Sequence, residues 1–263
     1  NFKTVQLPGN FLPNNFGAPD LPGSGKYIAI PAGASAKLKI NNIRTESFTN
    51  IDIAPAPRIP KVTETGPLDY QKDMSIYSNN AFYPAKPIFL SSPLKMRGVD
   101  VVMLGITPFQ YNPVTKELLV YRDIEVEIEF NGGSGQFGDN RLRSRWWDPI
   151  LEDALFNSSS LPAITYSSNN SKIQSDTNNF EYIIICPDDP VFIQWADTIR
   201  LWRAKQGIIT GVVPLSSIGG NDANIIEDYI DHAYNNWTIP PSAILFLGDY
   251  GTSGNNRIIS PEW

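Results

Sequence analysis

The sequence predicts a multidomain chain: an antiparallel β-sandwich, a polar connector, then the first strands and helices of an α/β parallel sheet. Three observations predict this order. Between residues 2 and 130 short β-type runs are punctuated by Pro, Gly and Asn, which is the spacing of a sandwich or barrel. Between residues 181 and 249 continuous apolar strands alternate with amphipathic helical patterns, as in parallel βαβ units with right-handed crossovers. The charge divides at the same place: residues 1–178 hold 17 basic and 17 acidic groups, residues 179–263 hold 4 and 10, so the net −6 belongs to the second part.

In the first part the strands are predicted at 27–30, 36–43, 88–90, 99–106 and 118–130. The clearest alternation runs from Ile124 to Phe130, where a period of two sends Ile124, Val126, Ile128 and Phe130 to one face and Glu125, Glu127 and Glu129 to the other. Three carboxylates at that spacing read as a solvated strand face whose charges discourage edge pairing, in preference to an acid or metal site. Asp148-Pro149 fits the N-cap and first position of a short helix reaching to 156, with Ile150, Leu151, Ala154 and Leu155 as its apolar stripe. Residues 157–178 are rich in Ser and Asn and nearly uncharged, which is a linker composition. The expected division is therefore 1–156, a linker over 157–178, and 179–263.

In the second part strands are predicted at 182–186, 208–213 and 243–247. Asp189-Pro190 caps a helix carrying Phe192, Trp195, Ile199 and Trp202, and Asn221 or Asp222 caps a second helix with Ile225, Ile226, Tyr229, Ile230 and Ala233 inside. Three strands make an unfinished sheet. In such sheets ligands and catalytic groups gather beyond the carboxyl ends of the strands. That edge carries Cys186, Asp188 and Asp189, then Ser216 and Ser217, then Gly248-Asp249.

Composition limits the chemistry. With pI near 4.9 there is no basic surplus to neutralise phosphates, and the apolar runs are too short to span a bilayer, so neither nucleic acid nor a membrane span is expected. One cysteine excludes an internal disulfide and a Cys-rich zinc site. Asn1 is not a start methionine and no signal peptide precedes it, so a processed or shortened chain is expected. A Cys186–His232 dyad is disfavoured, because His232 lies ten residues along the helix that leads away from the catalytic edge. Asp188 and Asp249, with Asp189, are the candidate metal ligands, calcium being the cation their oxygens suit; two acids after the first strand and one after the third also resemble a receiver-domain pocket. The glycine spacing of a phosphate cradle is absent. Trp146-Trp147 suits either a glycan-binding sandwich or an anchor of the 148–156 helix against the sandwich, the latter being favoured.

The wording of particular stretches goes further. Residues 17–22 (Gly-Ala-Pro-Asp-Leu-Pro) and 28–34 (Ile-Ala-Ile-Pro-Ala-Gly-Ala) resemble the opening of the propeptide of gingipain-type cysteine peptidases. Arg97-Gly98-Val99, residues 107–113 (Thr-Pro-Phe-Gln-Tyr-Asn-Pro) and 118–121 resemble its C-terminal half. Residues 180–249, with Trp195, Trp202-Arg203, Gln206-Gly207 and 244–249 (Ile-Leu-Phe-Leu-Gly-Asp), resemble the start of the family's catalytic domain. The resemblance implies a jelly-roll-like sandwich that keeps a secreted bacterial endopeptidase latent and assists its folding, followed by part of a caspase-like subdomain. Its partners would be the catalytic part of the same peptidase and, for the full-length enzyme, protein substrates. The Gly-His-Gly and later Cys of the family's motif do not occur, so no catalytic residue is carried over. The alternative is a β-sandwich carbohydrate-binding or adhesion module with an appended α/β domain. Cleavage is expected within 157–178, where Lys172 is the only basic residue, with Arg145 as a second candidate. For Arg141, Arg143 and Arg145 a solvated basic turn, or charge partners of the acidic second part, is slightly favoured over cleavage there.

Overall fold

A computed structural model describes residues 2–9, 15–166, 179–249 and 256–259. The chain divides into two compact units, the first made of Asn1–Gly138 with Leu151–Pro162, the second of Asp139–Ile150 with Ala163–Trp263.

The first unit holds two antiparallel sheets. In one, β5 (Val99–Ile106) pairs with β1 (Ser24–Ala29), β3 (Ile88–Leu90) and β4 (Leu94–Met96). Its central position explains why Val99, Val101 and Val102 are all buried. β4 and β5 are joined by Arg97-Gly98, both with positive φ, the backbone a two-residue hairpin turn demands and glycine supplies at least cost. In the other sheet β7 (Glu117–Gly132) pairs with β2 (Ala34–Phe48) and β6 (Phe109–Asn112). Here the predicted alternation is realised: Glu129, Glu127 and Glu125 stand opposite Lys37, Lys39 and Asn42, and Lys39 Nζ lies 3.1 Å from Glu127 Oε2 on an exposed face. Ile128 and Ala36, from the opposite face, pack on Ile28, Ile30 and Val102 of the first sheet, which joins the two sheets through a shared core.

A second cluster of Leu21, Ile53, Tyr77, Phe109, Tyr111 and Leu118 extends the buried interior of this unit. Tyr77 comes from the one-turn helix α1 (Met74–Tyr77), which sequence periodicity did not reveal because four residues are too few to show one; Asp73 caps it and Tyr77 Oη donates to Ile53 O at 3.0 Å. Helix α2 (Asp148–Ala154) straddles the boundary between the two units along the chain. Its Leu151, with Leu155, is buried against Ala29, Val99 and Val101. Just beyond, Asn157 extends the β1 edge: its side chain accepts from Ala29 N at 2.8 Å and donates to Ala29 O at 2.9 Å. Asn157, expected at the start of a linker, is thus packed against the first sheet. Residues 167–178, including Lys172, lie outside the described residues.

The second unit is an α/β arrangement around a parallel sheet in the order β10 (Ala243–Phe246), β8 (Tyr182–Cys186), β9 (Thr210–Pro214). Alternation along β8 decides its two cores. Ile183 and Ile185 pack with Ile226, Ala233 and Trp237 around helix α5 (Ala223–Asn236). Ile184 and Cys186 pack with Phe192, Ile193, Ala196 and Ile199 of helix α3 (Pro190–Lys205). One expectation is corrected here: Trp195 and Trp202 are 60% and 61% exposed. At 3.6 residues per turn they lie on the flank of the stripe formed by Phe192, Ala196 and Ile199, so apolar character alone does not mark the buried face.

Candidate functional site

The carboxyl edge of the parallel sheet carries the predicted acidic residues, each with a local structural partner. Asp189 is the N-cap of α3, accepting from Val191 N at 2.8 Å and Phe192 N at 3.4 Å, with Pro190 opening the helix. Asp188 accepts from Ser216 N at 2.9 Å and from the Ser216 hydroxyl, which ties the β8 loop to the short helix α4 (Leu215–Ile218) after β9. Asp249 is exposed beyond the end of β10; its amide donates to Asn256 O at 2.7 Å. Asn221 ties down residues 256–259, donating to Arg257 O and accepting from Ile259 N. An open groove of about 720 Å³ lies between Asp188, Asp189, Ser216, Asn221 and Arg257. No group of three or more His, Cys, Asp or Glu side chains that could hold a metal ion occurs among the described residues.

Cys186 and His232 are not brought together. Cys186 is fully buried on the α3 side of the sheet, whereas His232 is an exposed residue of α5, on the opposite side, beside Asn236. Burial, then the neighbouring carboxylates of Asp188 and Asp197, push the Cys186 thiol up to about 11. Cys186 is therefore a buried strand residue whose thiol and the His232 imidazole lie on opposite sides of the sheet.

At the amino edge of the sheet the arginines gather, and here the structure supplies partners that sequence reasoning did not name. Arg141 donates through Nη1 to Tyr234 O at 2.8 Å and to Trp237 O at 3.1 Å, capping the carbonyl end of α5. Arg145 bonds Gly207 O, just beyond the carbonyl end of α3, and Glu181 Oε2 at 3.1 Å. Both guanidinium groups therefore meet the negative ends of helix dipoles. Glu181 also accepts from Ile209 N at 3.0 Å, so one carboxylate joins Arg145 to the start of β9. Arg143 turns back to Asp148 in a bidentate pair at 3.0 and 2.8 Å, almost wholly buried, and Tyr166 Oη donates to the same carboxylate at 2.7 Å.

Trp147 donates its indole N–H to Ser242 O at 3.1 Å, and Ser242 Oγ donates to Ser144 Oγ at 3.1 Å. Trp147 thus ties its segment to the α/β unit through the Ser242 carbonyl at the mouth of β10. Arg145 stacks over Trp146 at 4.6 Å. Arg145 meets a carboxylate of the acidic part, Glu181, whereas Arg141 meets the Tyr234 and Trp237 carbonyls and Arg143 pairs with Asp148, which precedes that part. A sequence signal existed: three arginines in five residues beside a part of net charge −6.

Comparison with known proteins places both units. A family model described as Propeptide_C25 matches residues 3–141, and one described as Peptidase family C25 matches residues 175–262. Lys-gingipain of Porphyromonas gingivalis is 25% identical over 99% of this chain, which covers 15% of that protein's length. Gingipain R2 of the same species is 22% identical over 89% of this chain, covering 31% of its length. The chain thus spans less than a third of the length of these curated relatives. Among solved structures, the complex of P. gingivalis RgpB pro- and mature domains is similar over 57% of this chain and 77% of that one, at 23% identity and a TM-score of 0.49. A structure of gingipain K described for its zymogenic latency is similar over 50% of this chain and 76% of that one, at 27% identity and a TM-score of 0.43. With more than half of its residues matched by the propeptide model and the start of the peptidase model following, the chain belongs to the C25 propeptide family, joined to the beginning of a C25 peptidase domain.

Proposed function

We propose that the first unit keeps a C25 cysteine endopeptidase latent and assists its folding, and that the second is the non-catalytic start of that peptidase, a caspase-like subdomain. The observation that carries this reading is the order of the two family matches in one chain, 3–141 and then 175–262. The burial of Cys186, on the side of the sheet away from His232, supports it, and the nucleophile is assigned to another part of a longer enzyme. The jelly-roll-like course of the sandwich, a secreted or surface location in a bacterium, and protein substrates for the full-length enzyme belong to the same proposal.

The test measures peptidase activity of the full-length protein on a fluorogenic peptide panel before cleavage between the matches, and again after cleavage and physical removal of the N-terminal fragment. Activity should rise at least about tenfold once the fragment is removed, corresponding to about 1.4 kcal/mol of lost inhibition. Equal activity in both states would sink the latency reading.

A further inference from the structure

Helix α3 is apolar on two faces. One, with Phe192, Ala196 and Ile199, packs on the parallel sheet beside Ile184 and Cys186. The other carries Val191, Trp195, Leu201 and Trp202, each more than half exposed. These four recur at i, i+4, i+10 and i+11, which at 3.6 residues per turn is a single stripe along the helix. Thr198 lies on the same stripe between the tryptophans, its hydroxyl satisfied within the helix by donating to Gln194 O at 2.9 Å. Single exposed apolar residues are ordinary, but four large ones in one stripe form a contiguous patch of the kind that marks an interaction surface.

We propose that this stripe is the surface through which two copies of the chain associate, α3 lying antiparallel on α3 of the second copy about a two-fold axis at Thr198. An isologous contact requires a surface that complements its own rotated image, and this one does. Trp195 stands three residues before Thr198, and Leu201-Trp202 stand three and four after it, so reversal sets Trp195 of each copy against Leu201-Trp202 of the other. Charge reverses in the same way. The amino end of α3 follows Asp188 and is capped by Asp189, whereas its carboxyl end carries Arg203 and Lys205. Val191 and Lys205 are equally far from Thr198, so each Lys205 ammonium meets the acidic amino end of the other helix, and the opposite ends of the two helix dipoles are brought together. Parallel pairing would instead set like charges side by side. Three of the four basic residues after residue 178 lie within 200–205, in a part otherwise acidic. That acidity disfavours an anionic surface as the occupant, and the matching partner is an apolar stripe with an acidic end, which α3 itself possesses. Covering the stripe removes about 500 Å² from water on each copy, below the roughly 800 Å² per partner of a standard interface, so the dimer is reversible with a Kd of about 1 to 100 µM.

Association is read without any measurement of peptidase activity, so it fails independently of latency. Sedimentation velocity of this chain from about 1 to 200 µM should show a monomer–dimer equilibrium. Tryptophans are the usual anchors of such contacts, so Trp195→Ala/Trp202→Ala should weaken it at least about tenfold, and both positions are exposed enough for the chain to keep its circular dichroism. Geometry is read by oxidative cross-linking, in which the buried Cys186 takes no part. Thr198→Cys should link to its own kind across the two-fold axis. Val191→Cys alone should not, because the two-fold places its two copies about 21 Å apart along the helices, yet it should link to a Lys205→Cys chain mixed with it. A monomer at about 200 µM, or a dimer unchanged in the double-alanine chain, would overturn the second-copy contact. So would self-linking at 191 without linking at 198, which would mean parallel pairing. Should the chain stay monomeric while Trp195 and Trp202 are shielded from oxidative footprinting in the full-length protein, the stripe belongs to a contact with a later part of that protein and the dimer is refuted.

Discussion

Cys186 shows how a residue's neighbours decide its chemistry. It stands at the end of a strand, where a nucleophile could stand, yet it is fully buried with Ile184 and Ala196 and its thiol is pushed up to about 11. At pH 8 the thiol therefore stays in its poorly nucleophilic protonated form. Iodoacetamide should therefore leave native Cys186 unmodified over hours at pH 8 and label it fully in denaturant, as read by intact mass. Rapid labelling of the native chain would show the thiol to be accessible. The same contrast separates the charged residues. The Lys39–Glu127 pair stands in solvent on the face of β7, whereas the Arg143 side chain is only 6% exposed and its carboxylate partner is nearly as enclosed. Exposed pairs of the first kind contribute little, while burial makes the second intolerant of losing either member.

At the scale of elements, the turn between β1 and β2 is fastened to β5 by one carboxylate. Asp100 accepts from Gly33 N at 2.8 Å and pairs with Lys95 Nζ at 2.7 Å across the β4–β5 hairpin. Burial alone would raise this carboxyl, but the Gly33 amide and the Lys95 ammonium outweigh it, and the carboxyl is held below its ordinary value. A carboxyl depressed in the folded state stabilises above the unfolded value, about 3.9, and that stabilisation is lost as pH falls through the folded value. Asp100→Asn should therefore destabilise the first unit by about 1 to 3 kcal/mol at pH 7, with the difference from wild type narrowing below about pH 4. Lys95 is largely exposed, so most of the effect belongs to the Gly33 amide. Urea denaturation at pH 7 and pH 3 checks it, and a difference independent of pH would show that the charge is not what matters.

At the scale of the whole molecule, the two units have separate cores, one of which includes Leu151 and the other Ile226, both fully buried. Leu151→Ala and Ile226→Ala should each cost about 2 to 5 kcal/mol, the range for removing a buried aliphatic side chain. Their effects should fall in different places. Hydrogen exchange should quicken in β1 and β5 for Leu151→Ala and in β8 and α5 for Ile226→Ala. Equal loss of protection in both units from either substitution would mean that the chain unfolds as one cooperative body.

Much of this organisation was written in local sequence. Alternation over 124–130 identified β7 and its charged face, the Asp189-Pro190 and Asp222 caps marked the starts of α3 and α5, and the change from punctuated strands to strand–helix alternation separated the two kinds of sheet, because period, cap and turn chemistry act between residues close in the chain. What local sequence did not contain was pairing at a distance. The contacts of Arg141 with the end of α5, of Arg145 with Glu181, and of Trp147 with Ser242 join residues 36 to 96 positions apart, and those of Asn157 with Ala29 join residues 128 apart. The sides of the sheet taken by Cys186 and His232, and the outward turn of Trp195 and Trp202, were likewise decided only when α3 and α5 packed on opposite faces of β8, since a helix's buried stripe is chosen by the surface it meets.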